Sequence, residues 1–589
     1  MFVESAHAAR RSIALAALLL LPCLGVGLVL DDFVLAVKAA PETLLPSLPS
    51  QPLELFTFTT GDPARNAALM DEAALLPWWS EPCHLNAFFR PLSALTHVLD
   101  FRLWPGSPAL MHLHSLLWFL VLLCALWHAY RTLQPGLPLV AALGFWLYAV
   151  DDAHGATVGW IANRNALVSA SLALPALALH HRAAEGGGGS RSWLAALCVA
   201  LGLCAGEAAM CVVGYLAAYA LCLDRRALGT RLWSLVPYAA LFIAHRALYR
   251  ALGLGSFGSS GYHDPLHEPV AFLATLGYNL PLLLSAELFV PIADLAFWGD
   301  VRARSMLWLW SMLSLAALAW LMRGLLARDR SARFWALGML LSAVPVSASL
   351  PGERLLIPIG FGAAPLLARV FEELGLLHAV SPSLSAARRA LGQALVILHV
   401  VVAPLLLPIR AHSFAPVGQL MRRLDAALPR TAAVRQQIAV VLNAPFNIML
   451  NYIQVSRALY GVPRPGHLYW LSTASSETQI ERVGPNVLQV TPQEGFLRRP
   501  EDTHYRANAH DLPLGARLQR AGMQVEIAAL TADARPASVR FHFDEPLESP
   551  RYLFYVFRSG ELVPYRPSER AERLPPEDFF RLMAAEALR

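Results

Sequence analysis

The chain has 589 residues, of which 56% are hydrophobic and only 15% charged, and its mean hydropathy is +0.45. A soluble protein of this length needs far less apolar side chain for its cores, so most of the chain is expected to lie in a lipid bilayer. The formal net charge of +5 comes almost entirely from arginine, because Lys38 is the only lysine. Together with the excess of alanine and leucine, this indicates a GC-rich bacterial coding sequence. The seven cysteines form no CxxC pair and indicate no disulfide framework.

The first apolar run extends from Ile13 to Leu30, follows Arg10-Arg11 and ends at Asp31 and Asp32. Roughly eighteen apolar residues cross the hydrocarbon core as a helix. The run is longer than the apolar part of a signal peptide, so we expect it to be retained. The arginines predict a cytoplasmic N-terminus. The two aspartates then emerge on the outer side, where adjacent carboxylates can hold one proton near neutral pH.

Residues 31–108 form the first outer loop, which is too long to be a simple connector. The loop contains Trp78-Trp79 and an amphipathic stretch from Leu92 to Leu103. This pattern predicts a helix in the plane of the membrane surface, with the tryptophans at headgroup depth.

Ten further apolar runs follow, so the sequence predicts a polytopic α-helical membrane protein with about 11 transmembrane helices in residues 1–410. With this count, the arginine-rich loops fall on the cytoplasmic side of a bacterial cytoplasmic membrane. The topology requires that residues 270–293, interrupted by Pro281 and Pro291, do not cross; if they cross, the later loops change sides. The further runs are residues 109–130, 137–150, 166–181, 193–205, 208–223, 232–251, 306–322, 334–350, 355–371 and 391–408.

Residues 411–589 have more charged residues and prolines and no further span. Helices are expected at residues 416–428 and 445–460. Six short strands, separated by proline and glycine turns, are also predicted in this region. The predicted strands are Ile438–Leu442, His467–Leu471, Val487–Val490, Val525–Leu530, Val539–Phe543 and Tyr552–Phe557. We therefore predict a C-terminal extracytoplasmic α+β domain. Because it contains no nucleophile elbow, phosphate loop or metal-ligand spacing, we interpret it as a binding or docking module.

Acidic and hydrogen-bonding residues collect on the predicted outer face, whereas the inner loops carry mainly arginine. Any single one of these residues is adequately explained as a solvated loop residue, but the set indicates a site. Its members are Asp31, Asp32, Asp151, Asp152, His154, Asn163, Arg164, Asn165, Glu207, His263, Asp264, Glu353 and Arg354.

Six short motifs occur in an order that resembles the membrane glycosyltransferases of the GT-C superfamily, across residues 1–371. The stretch from Val158 to Leu167 is similar to a loop of the protein O-mannosyltransferase-like and TMTC-like members. The chain departs from the pattern where Gly206 replaces a lysine and Asn163 replaces a glycine. The other motifs are Asp31-Asp32, Phe89-Arg90-Pro91-Leu92 with Asp100, Pro108 with His112 and His114, Gly206-Glu207, and Glu353-Arg354-Leu355.

This resemblance implies inverting transfer of a sugar from a polyprenyl-phosphate-linked donor to a glycan, lipid or protein acceptor of the cell envelope, at the outer face of the membrane. Asp31 or Asp32 would be the general base. The donor phosphate would be bound by the guanidinium groups of Arg90, Arg164 and Arg354. The substrate-binding residues would be Asp151, Asp152, Asn163, Glu207 and Glu353. A divalent cation could also be held by Asp32, Asp151 and Asp152.

Two other functions remain open: a transporter or flippase of envelope precursors, and a noncatalytic membrane scaffold with a binding domain. Transporters place charged residues at the bilayer midplane and often contain internal repeats, and the sequence shows neither a repeat nor a pair of acids in the middle of a span. The departures at Gly206 and Asn163 also leave room for an inactive or differently specific member. A nucleic-acid partner is not expected.

Overall fold

The computed structural model describes residues 2–290, 292–299, 301–375, 385–444, 446–507 and 512–587. The chain divides into two compact units. The helical unit consists of Met1–Val26, Phe89–Gly253 and His263–Phe414, and the sheet unit consists of Gly27–Phe88, Leu254–Tyr262 and Ala415–Arg589. Most of the first loop therefore groups with the C-terminal segment, in contrast to the predicted division into residues 1–410 and 411–589.

The helical unit contains α-helices joined by short turns. Several begin with proline at their first position, where the missing N–H has no helical partner and the fixed φ suits the helix. The longer helices are Phe2–Leu20, Pro91–Leu103, Pro108–Leu133, Pro138–Ala149, Arg164–Ala173, Pro175–Arg182, Gly189–Leu203, Ala208–Cys222, Leu228–Ala251, Pro269–Leu288, Val301–Arg328, Arg330–Val346, Ile357–Glu373, Ala386–Val396 and Ala403–Ala411. Short helices lie at Leu21–Gly25, Ala153–Val158, Ile161–Asn163, Ala183–Gly187, Leu295–Trp298, Glu353–Leu355 and Ile397–Val402.

Within the described residues, five helical stretches are long and apolar enough to cross a membrane. This confirms the prediction of a helical membrane protein but does not establish the count of eleven spans. Other apolar helices are short: one has 12 residues and would extend about 18 Å, less than the hydrocarbon thickness of about 30 Å. The five stretches are His7–Gly25, Pro108–Leu133, Pro269–Leu288, Arg302–Arg328 and Ala386–Ala426.

The first apolar run does not form one helix from Ile13 to Leu30. The α-helix ends at Leu20, a short 3-10 helix follows, and Asp31 begins a separate helix, Asp31–Ala39. Pro22 lacks a backbone donor, and Gly27 has a φ of +81°, a conformation that ends helical geometry. The prediction of an uninterrupted helix was wrong because hydropathy does not register these backbone breaks.

The prediction that Pro281 interrupts the segment 270–293 was also wrong. The helix Pro269–Leu288 continues through Pro281, as is tolerated where neighbouring helices surround the freed backbone carbonyl. Asn279 in this helix and His263 before it both bond to the turn at residues 347–349. The backbone N–H of His263 donates to Ala348 O at 3.0 Å, and Asn279 Nδ2 donates to Ser347 O at 2.9 Å.

In the helix Pro91–Leu103 apolar side chains are exposed and polar side chains are buried, which is the reverse of the pattern in a water-soluble protein. Leu95 and Leu99 are about half exposed, while His97 and Asp100 on the other side are fully buried. An apolar outer face with a buried polar face is the pattern of a surface that contacts lipid.

The tryptophan pair of the first loop does not lie on a surface. Trp78 and Trp79 are 1% and 2% exposed in the sheet unit, and the Trp78 ring packs edge-on against Phe496 and Phe541. The prediction that they anchor the loop at headgroup depth was therefore wrong, because burial in a protein core and burial in a membrane surface favour the same aromatic residues.

The sheet unit contains three sheets, with strand orders β1-β2-β3, β13-β6-β7-β10-β9-β8 and β12-β11-β4-β5. All six strands predicted for the C-terminal region are present, and β4 is buried along its whole length with parallel neighbours on both sides. The strands are β1 Thr57–Thr60, β2 Leu85–Ala87, β3 Gly255–Phe257, β4 Ile438–Ala444, β5 His467–Thr473, β6 Thr478–Gly484, β7 Val487–Pro492, β8 Arg517–Arg520, β9 Met523–Leu530, β10 Pro536–Phe543, β11 Tyr552–Arg558, β12 Glu561–Pro564 and β13 Glu572–Leu574. Its helices are Asp31–Ala39, Pro63–Asp71, Ala415–Ala426, Ala432–Gln436, Asn447–Leu450, Ile453–Leu459, Pro500–Thr503 and Phe579–Ala587.

Candidate functional site

A group of carboxylates and guanidinium groups lies at one end of the helical unit, and we call it the acidic cluster. Its residues come from helix ends and turns that are far apart in sequence. Five are acids and two are arginines, so the acids are in excess. The members are Asp151, Asp152, Glu287, Asp294, Glu353, Arg354 and Arg410.

Arg410 lies at the centre of the acidic cluster. It forms an ion pair with the buried Glu353 and interacts electrostatically with Asp294, Asp152 and Asp151. The helix that carries Arg410 closely approaches the helix Ala153–Val158 at Gly155, where a Cβ atom would come within 2.7 Å of Ala411 N. Glycine is needed at that position to bring the two helices together.

Asp151 and Asp294 in the acidic cluster hold their protons more tightly than ordinary carboxyl groups. Burial raises the pKa of Asp151 to about 8, and the charge of Asp152 adds to this, while the Ala153 N–H and Arg410 oppose it. Burial also raises the pKa of Asp294, against the opposing charges of Arg410 and Arg354. At neutral pH Asp151 is therefore largely protonated, and it can donate a hydrogen bond as well as accept one.

Glu287 is the most isolated acid of the acidic cluster. It projects from the apolar helix Pro269–Leu288, it is 3% exposed, and its Oε2 atom is buried without a hydrogen-bond partner. Its Oε1 atom lies 2.8 Å from the place where a Cβ atom of Gly360 would stand, so only glycine leaves room for it. An acid in this environment is costly to fold and indicates a functional role.

We predict that Asp151→Asn stabilises the protein at high pH. The pKa of Asp151 in the folded state is raised above its ordinary value of 3.8, so the folded state loses stability as pH rises from about 4 towards 8. The asparagine side chain does not ionise, so the variant does not lose this stability as pH rises. Its melting temperature should exceed that of the wild type by about 2 °C at pH 8.5 and should match it at pH 4.

Thermal unfolding of both proteins in detergent at the two pH values measures the difference. Asp533→Asn serves as a control with the opposite sign, because its hydrogen bonds from Arg535 and Thr531 lower the pKa of Asp533. An equal melting temperature of the Asp151→Asn variant and the wild type at pH 8.5 would contradict the raised pKa.

Arg354, the second arginine of the acidic cluster, packs against an aromatic side chain. Its guanidinium carbon lies 5.8 Å from the centre of the Trp160 ring, and that ring packs on Phe414 at 5.2 Å. Stacking uses the face of a guanidinium, whereas its N–H groups lie in the plane and can bind an anion.

Arg90 and Glu207 form a second group in the helical unit. Arg90 Nε lies 2.8 Å from Glu207 Oε2, and Tyr249 OH donates to Glu207 Oε1 at 2.7 Å. Burial alone would raise the pKa of Glu207, but the charge of Arg90 and the Tyr249 hydrogen bond outweigh it and lower the pKa. Tyr249 OH also accepts the N–H of Phe89, which fixes the start of the Phe-Arg-Pro-Leu motif.

Arg164 belongs to a third group, which is completely buried. Its NH1 atom lies 2.5 Å from Asp100 Oδ2, and both side chains have no exposed surface. Nε donates to Ser115 Oγ at 2.9 Å and NH2 donates to Met111 O at 2.7 Å. His114 contacts the other Asp100 oxygen at 2.6 Å. These contacts connect the helices Pro91–Leu103, Pro108–Leu133 and Arg164–Ala173.

Asp31 and Asp32 lie in the sheet unit, at the start of the helix Asp31–Ala39, where the helix dipole favours negative charge. Asp32 is fully buried and accepts the Val29 N–H at 2.9 Å. Asp31 is only half-buried and accepts a hydrogen bond from Tyr452 OH at 2.5 Å. Of the two neighbours, Asp31 is the more accessible.

The sequence-predicted residues thus fall into several groups. Asp151, Asp152, Glu353 and Arg354 come together in the acidic cluster, and Arg90 pairs with Glu207. Asn163 ends the short helix Ile161–Asn163, and its Nδ2 atom is buried without a hydrogen-bond partner.

Sequence reasoning missed three members of the acidic cluster: Glu287, Asp294 and Arg410. Glu287 carries a detectable signal, because a single acid inside an apolar run is rare. Asp294 and Arg410 stand next to helix ends, where charged residues are common, and nothing local distinguishes them.

Of the predicted cation ligands, Asp151 and Asp152 belong to the acidic cluster and Asp32 belongs to the sheet unit. In the part of the chain that the structure describes, no three His, Cys, Asp or Glu residues lie close enough together to hold a metal ion.

No protein-family model matches the chain, and no curated protein matches it. Among solved structures, two cryo-EM structures of the arabinofuranosyltransferase AftD from mycobacteria are similar. The first is 16% identical with a TM-score of 0.31, over 91% of this chain and 40% of that chain. The second, a mutant of AftD, is 15% identical with a TM-score of 0.32, over 90% of this chain and 41% of that chain.

This chain therefore spans about two fifths of the length of AftD. Similarity at this TM-score does not establish a shared fold or activity. The function of this membrane protein has to be argued from its own residues.

Proposed function

We propose that this protein is a GT-C-type glycosyltransferase that transfers a sugar from a polyprenyl-phosphate donor to a cell-envelope acceptor. The observation that carries the proposal is the acidic cluster. It brings Asp151 and Asp152 together with Glu353 and Arg354, which lie in a distant part of the sequence. Buried carboxyls bind sugar hydroxyl groups well, because protonated and ionised forms together donate and accept hydrogen bonds. A stacked arginine beside them suits a phosphate.

In the proposed reaction, a carboxylate removes the proton of the acceptor hydroxyl as its oxygen attacks C1 of the donor sugar. The bond between C1 and the phosphate oxygen breaks, and its electron pair leaves with the polyprenyl phosphate. Attack from the opposite face inverts the configuration at C1. The products are the new glycoside, polyprenyl phosphate and the protonated carboxyl group.

We assign the base role to Asp31 rather than Asp32, because Asp31 is half-buried and Asp32 is enclosed. For the phosphate we assign Arg354, which stacks on Trp160. Arg90 and Arg164 already pair with Glu207 and Asp100, so we propose that they position helices and loops.

We also propose that the sheet unit lies on the extracytoplasmic side. Its strands β2 and β3 pair with each other, so residues 27–88 and 254–262 share one side of the membrane. The backbone N–H of Ser260 donates to Thr503 O, which adds the C-terminal segment to that side. An even number of crossings must then separate these segments.

Between residues 88 and 254 we count six crossings, an even number, by leaving out the helix Pro91–Leu103 and counting Arg164–Ala173 with Pro175–Arg182 as one. Between residues 262 and 415 there are five helical stretches when the continuous helices of residues 386–411 are counted as one. One of the five therefore does not cross. Pro269–Leu288 is the candidate, because His263 and Asn279 both bond to residues 347–349. With four crossings between residues 262 and 415, the arginines of residues 323–333 and 388–389 lie on the cytoplasmic side, as the positive-inside rule requires.

We predict that Cys83, which is exposed in the sheet unit, reacts with a membrane-impermeant maleimide in intact spheroplasts. A cysteine introduced at Ser568 in a Cys83→Ser background should react in the same way. A cysteine introduced at Ser190, which is exposed in the first turn of the helix Gly189–Leu203, should react only in inverted vesicles. Labelling of positions 568 and 190 from the same side would contradict the topology.

The catalytic proposal is tested with purified protein in nanodiscs, a panel of polyprenyl-phosphate sugars and an envelope extract as acceptor. We expect release of polyprenyl phosphate with at least one donor. Arg354→Gln should raise the donor KM about tenfold or more through loss of a charge-assisted contact. Arg246→Gln, which removes an ion pair with Asp264 in the same unit, should leave KM unchanged.

One observation favours a second candidate, a transporter or flippase: Glu287 is a buried acid in an apolar helix. The same nanodisc assay distinguishes the two functions, because a flippase leaves the sugar–phosphate bond intact. If no donor is cleaved in nanodiscs while lipid-linked sugar changes leaflet in proteoliposomes, the transport function replaces the transferase.

A further inference from the structure

Positive and negative charges are unevenly distributed within the acidic cluster. Arg410 pairs with Glu353, and Asp294 interacts electrostatically with both Arg410 and Arg354. Asp294 also reaches the turn that carries Arg354, since its Oδ1 atom lies 2.8 Å from the place where a Cβ atom of Gly352 would stand. Two of the five acids thus lie beside the two arginines.

The other three acids of the acidic cluster, Asp151, Asp152 and Glu287, form what we call its anionic side. Arg410 acts on Asp151 and Asp152 from a distance, and the charges that act on Glu287 are those of these two aspartates, which repel it. Glu287 is 3% exposed, and its Oε2 atom has no hydrogen-bond partner in the described part of the chain. A buried, unpartnered carboxyl group beside two further acids would gain from one more positive charge.

A protonated amine has the chemistry that the anionic side lacks. It carries one positive charge and three N–H donors, and it has no acceptor atom. Its contacts to carboxylate oxygens are about 2.7–2.9 Å long, whereas Mg²⁺ and Ca²⁺ need oxygens at about 2.0–2.6 Å. An ammonium group therefore suits acids that are too far apart for a metal ion, as the acids of the described chain are.

The anionic side is also accessible to a ligand. Asp151 and Asp152 are partly exposed, while Glu287 is enclosed. A ligand can therefore reach the two aspartates and approach the buried carboxyl group from them. An ammonium group in this place would replace the proton that Asp151 otherwise holds at neutral pH.

We propose that the anionic side binds the protonated amino group of a sugar substrate, so that the protein acts on an amino sugar. The inference rests on the proposed function and adds the class of sugar to it. Arg354, which stacks on Trp160 in the same cluster, suits the phosphate of the donor. A phosphate-linked amino sugar presents both charges that the acidic cluster complements. An amino group on the acceptor would meet the same acids, so the experiments distinguish the two sources.

Binding of simple sugars tests the site without any transfer reaction. The probes are glucosamine, whose amino group is largely protonated at neutral pH, and the neutral sugars glucose and N-acetylglucosamine. Each is titrated into the protein in nanodiscs, and the rise in melting temperature gives its dissociation constant. We expect the dissociation constant of glucosamine to be about tenfold or more below those of the neutral sugars, because its contacts are charge-assisted.

Two variants and one matched control locate the binding. Glu287→Gln and Asp152→Asn should each remove the preference for glucosamine. Asp224→Asn should keep it, because Asp224 is a buried acid of the same unit whose charge is already paired with Arg226. Equal affinities for the three sugars, or a preference that Glu287→Gln and Asp152→Asn leave intact, would overturn the inference. Stabilisation by Mg²⁺ or Ca²⁺ that Glu287→Gln removes, without any effect of glucosamine, would also overturn it in favour of a metal ion.

The polyprenyl phosphate release assay identifies which substrate carries the amine. If it is the donor, a polyprenyl-phosphate sugar with a free amine should react with a kcat/KM about tenfold or more above that of its N-acetylated form. If it is the acceptor, chemical N-acetylation of the envelope extract should lower the rate by a similar factor.

The same assay separates the inference from the proposed function. If free and N-acetylated forms of both donor and acceptor react equally, the class of sugar is overturned and the transferase remains. If no donor is cleaved while glucosamine binding still depends on Glu287, the transferase is overturned and the amine-binding site remains.

Discussion

Replacing Asp31 with asparagine is expected to lower the rate of sugar transfer by about 10²–10⁴-fold, because the reaction loses its general base. Asparagine has nearly the same shape as aspartate, and its amide oxygen can still accept the hydrogen bond from Tyr452. The loss should therefore appear in kcat, while the melting temperature stays close to that of the wild type. Polyprenyl phosphate release by the variant in nanodiscs gives the rate.

The Asp32→Asn variant tests whether Asp32, rather than Asp31, is the base. Asp32 is enclosed and accepts the Val29 N–H, so its replacement should mainly lower stability. Asp62→Asn is a matched control, because Asp62 caps the helix Pro63–Asp71 and asparagine is an equally good cap. An inactive Asp32→Asn protein beside an active Asp31→Asn protein would move the base to Asp32. Full activity in both would contradict an aspartate base at this position.

The C-terminal strands could be predicted from the sequence because each carries its own signal. β4 is a short apolar run rich in β-branched residues, and β10 alternates buried and exposed side chains between turns. These patterns depend on neighbours one or two residues away. Their pairing into two sheets, and the pairing of β2 with β3 from a distant part of the chain, depend on long-range packing that no local pattern contains.

The acidic cluster could be predicted only in part, for a related reason. Glu353 and Arg354 were found because they match a motif, and Asp151 and Asp152 because they are acids on the predicted outer face. Arg410 was missed, although it pairs with Glu353, because charged residues are common at the ends of apolar helices and nothing in the local sequence distinguishes this one. Hydropathy gives the depth of a residue along a helix, but not which helices are neighbours.

The buried ion pair of Arg164 and Asp100 should have a large effect on stability. Arg164→Gln leaves the Asp100 carboxylate enclosed without its cation, at an expected cost of about 3–5 kcal/mol in the free energy of unfolding. Asp100→Asn should cost a similar amount. The double variant should lose less than the sum of the two, with a coupling of about 1–3 kcal/mol, because neither charge is then left unpaired. Denaturant or thermal unfolding of the four proteins in detergent gives the coupling.

The same variants decide which role Arg164 has. If it bound the donor phosphate, as the motif resemblance implies, Arg164→Gln would raise the donor KM at nearly unchanged stability. The pairing with Asp100, Ser115 and Met111 predicts the reverse: a lower melting temperature and an unchanged KM for the protein that remains folded. Arg226→Gln is the control, because its partly exposed pair with Asp224 should contribute about 0–1 kcal/mol. A loss of stability in Arg164→Gln no greater than in this control would contradict the positioning role.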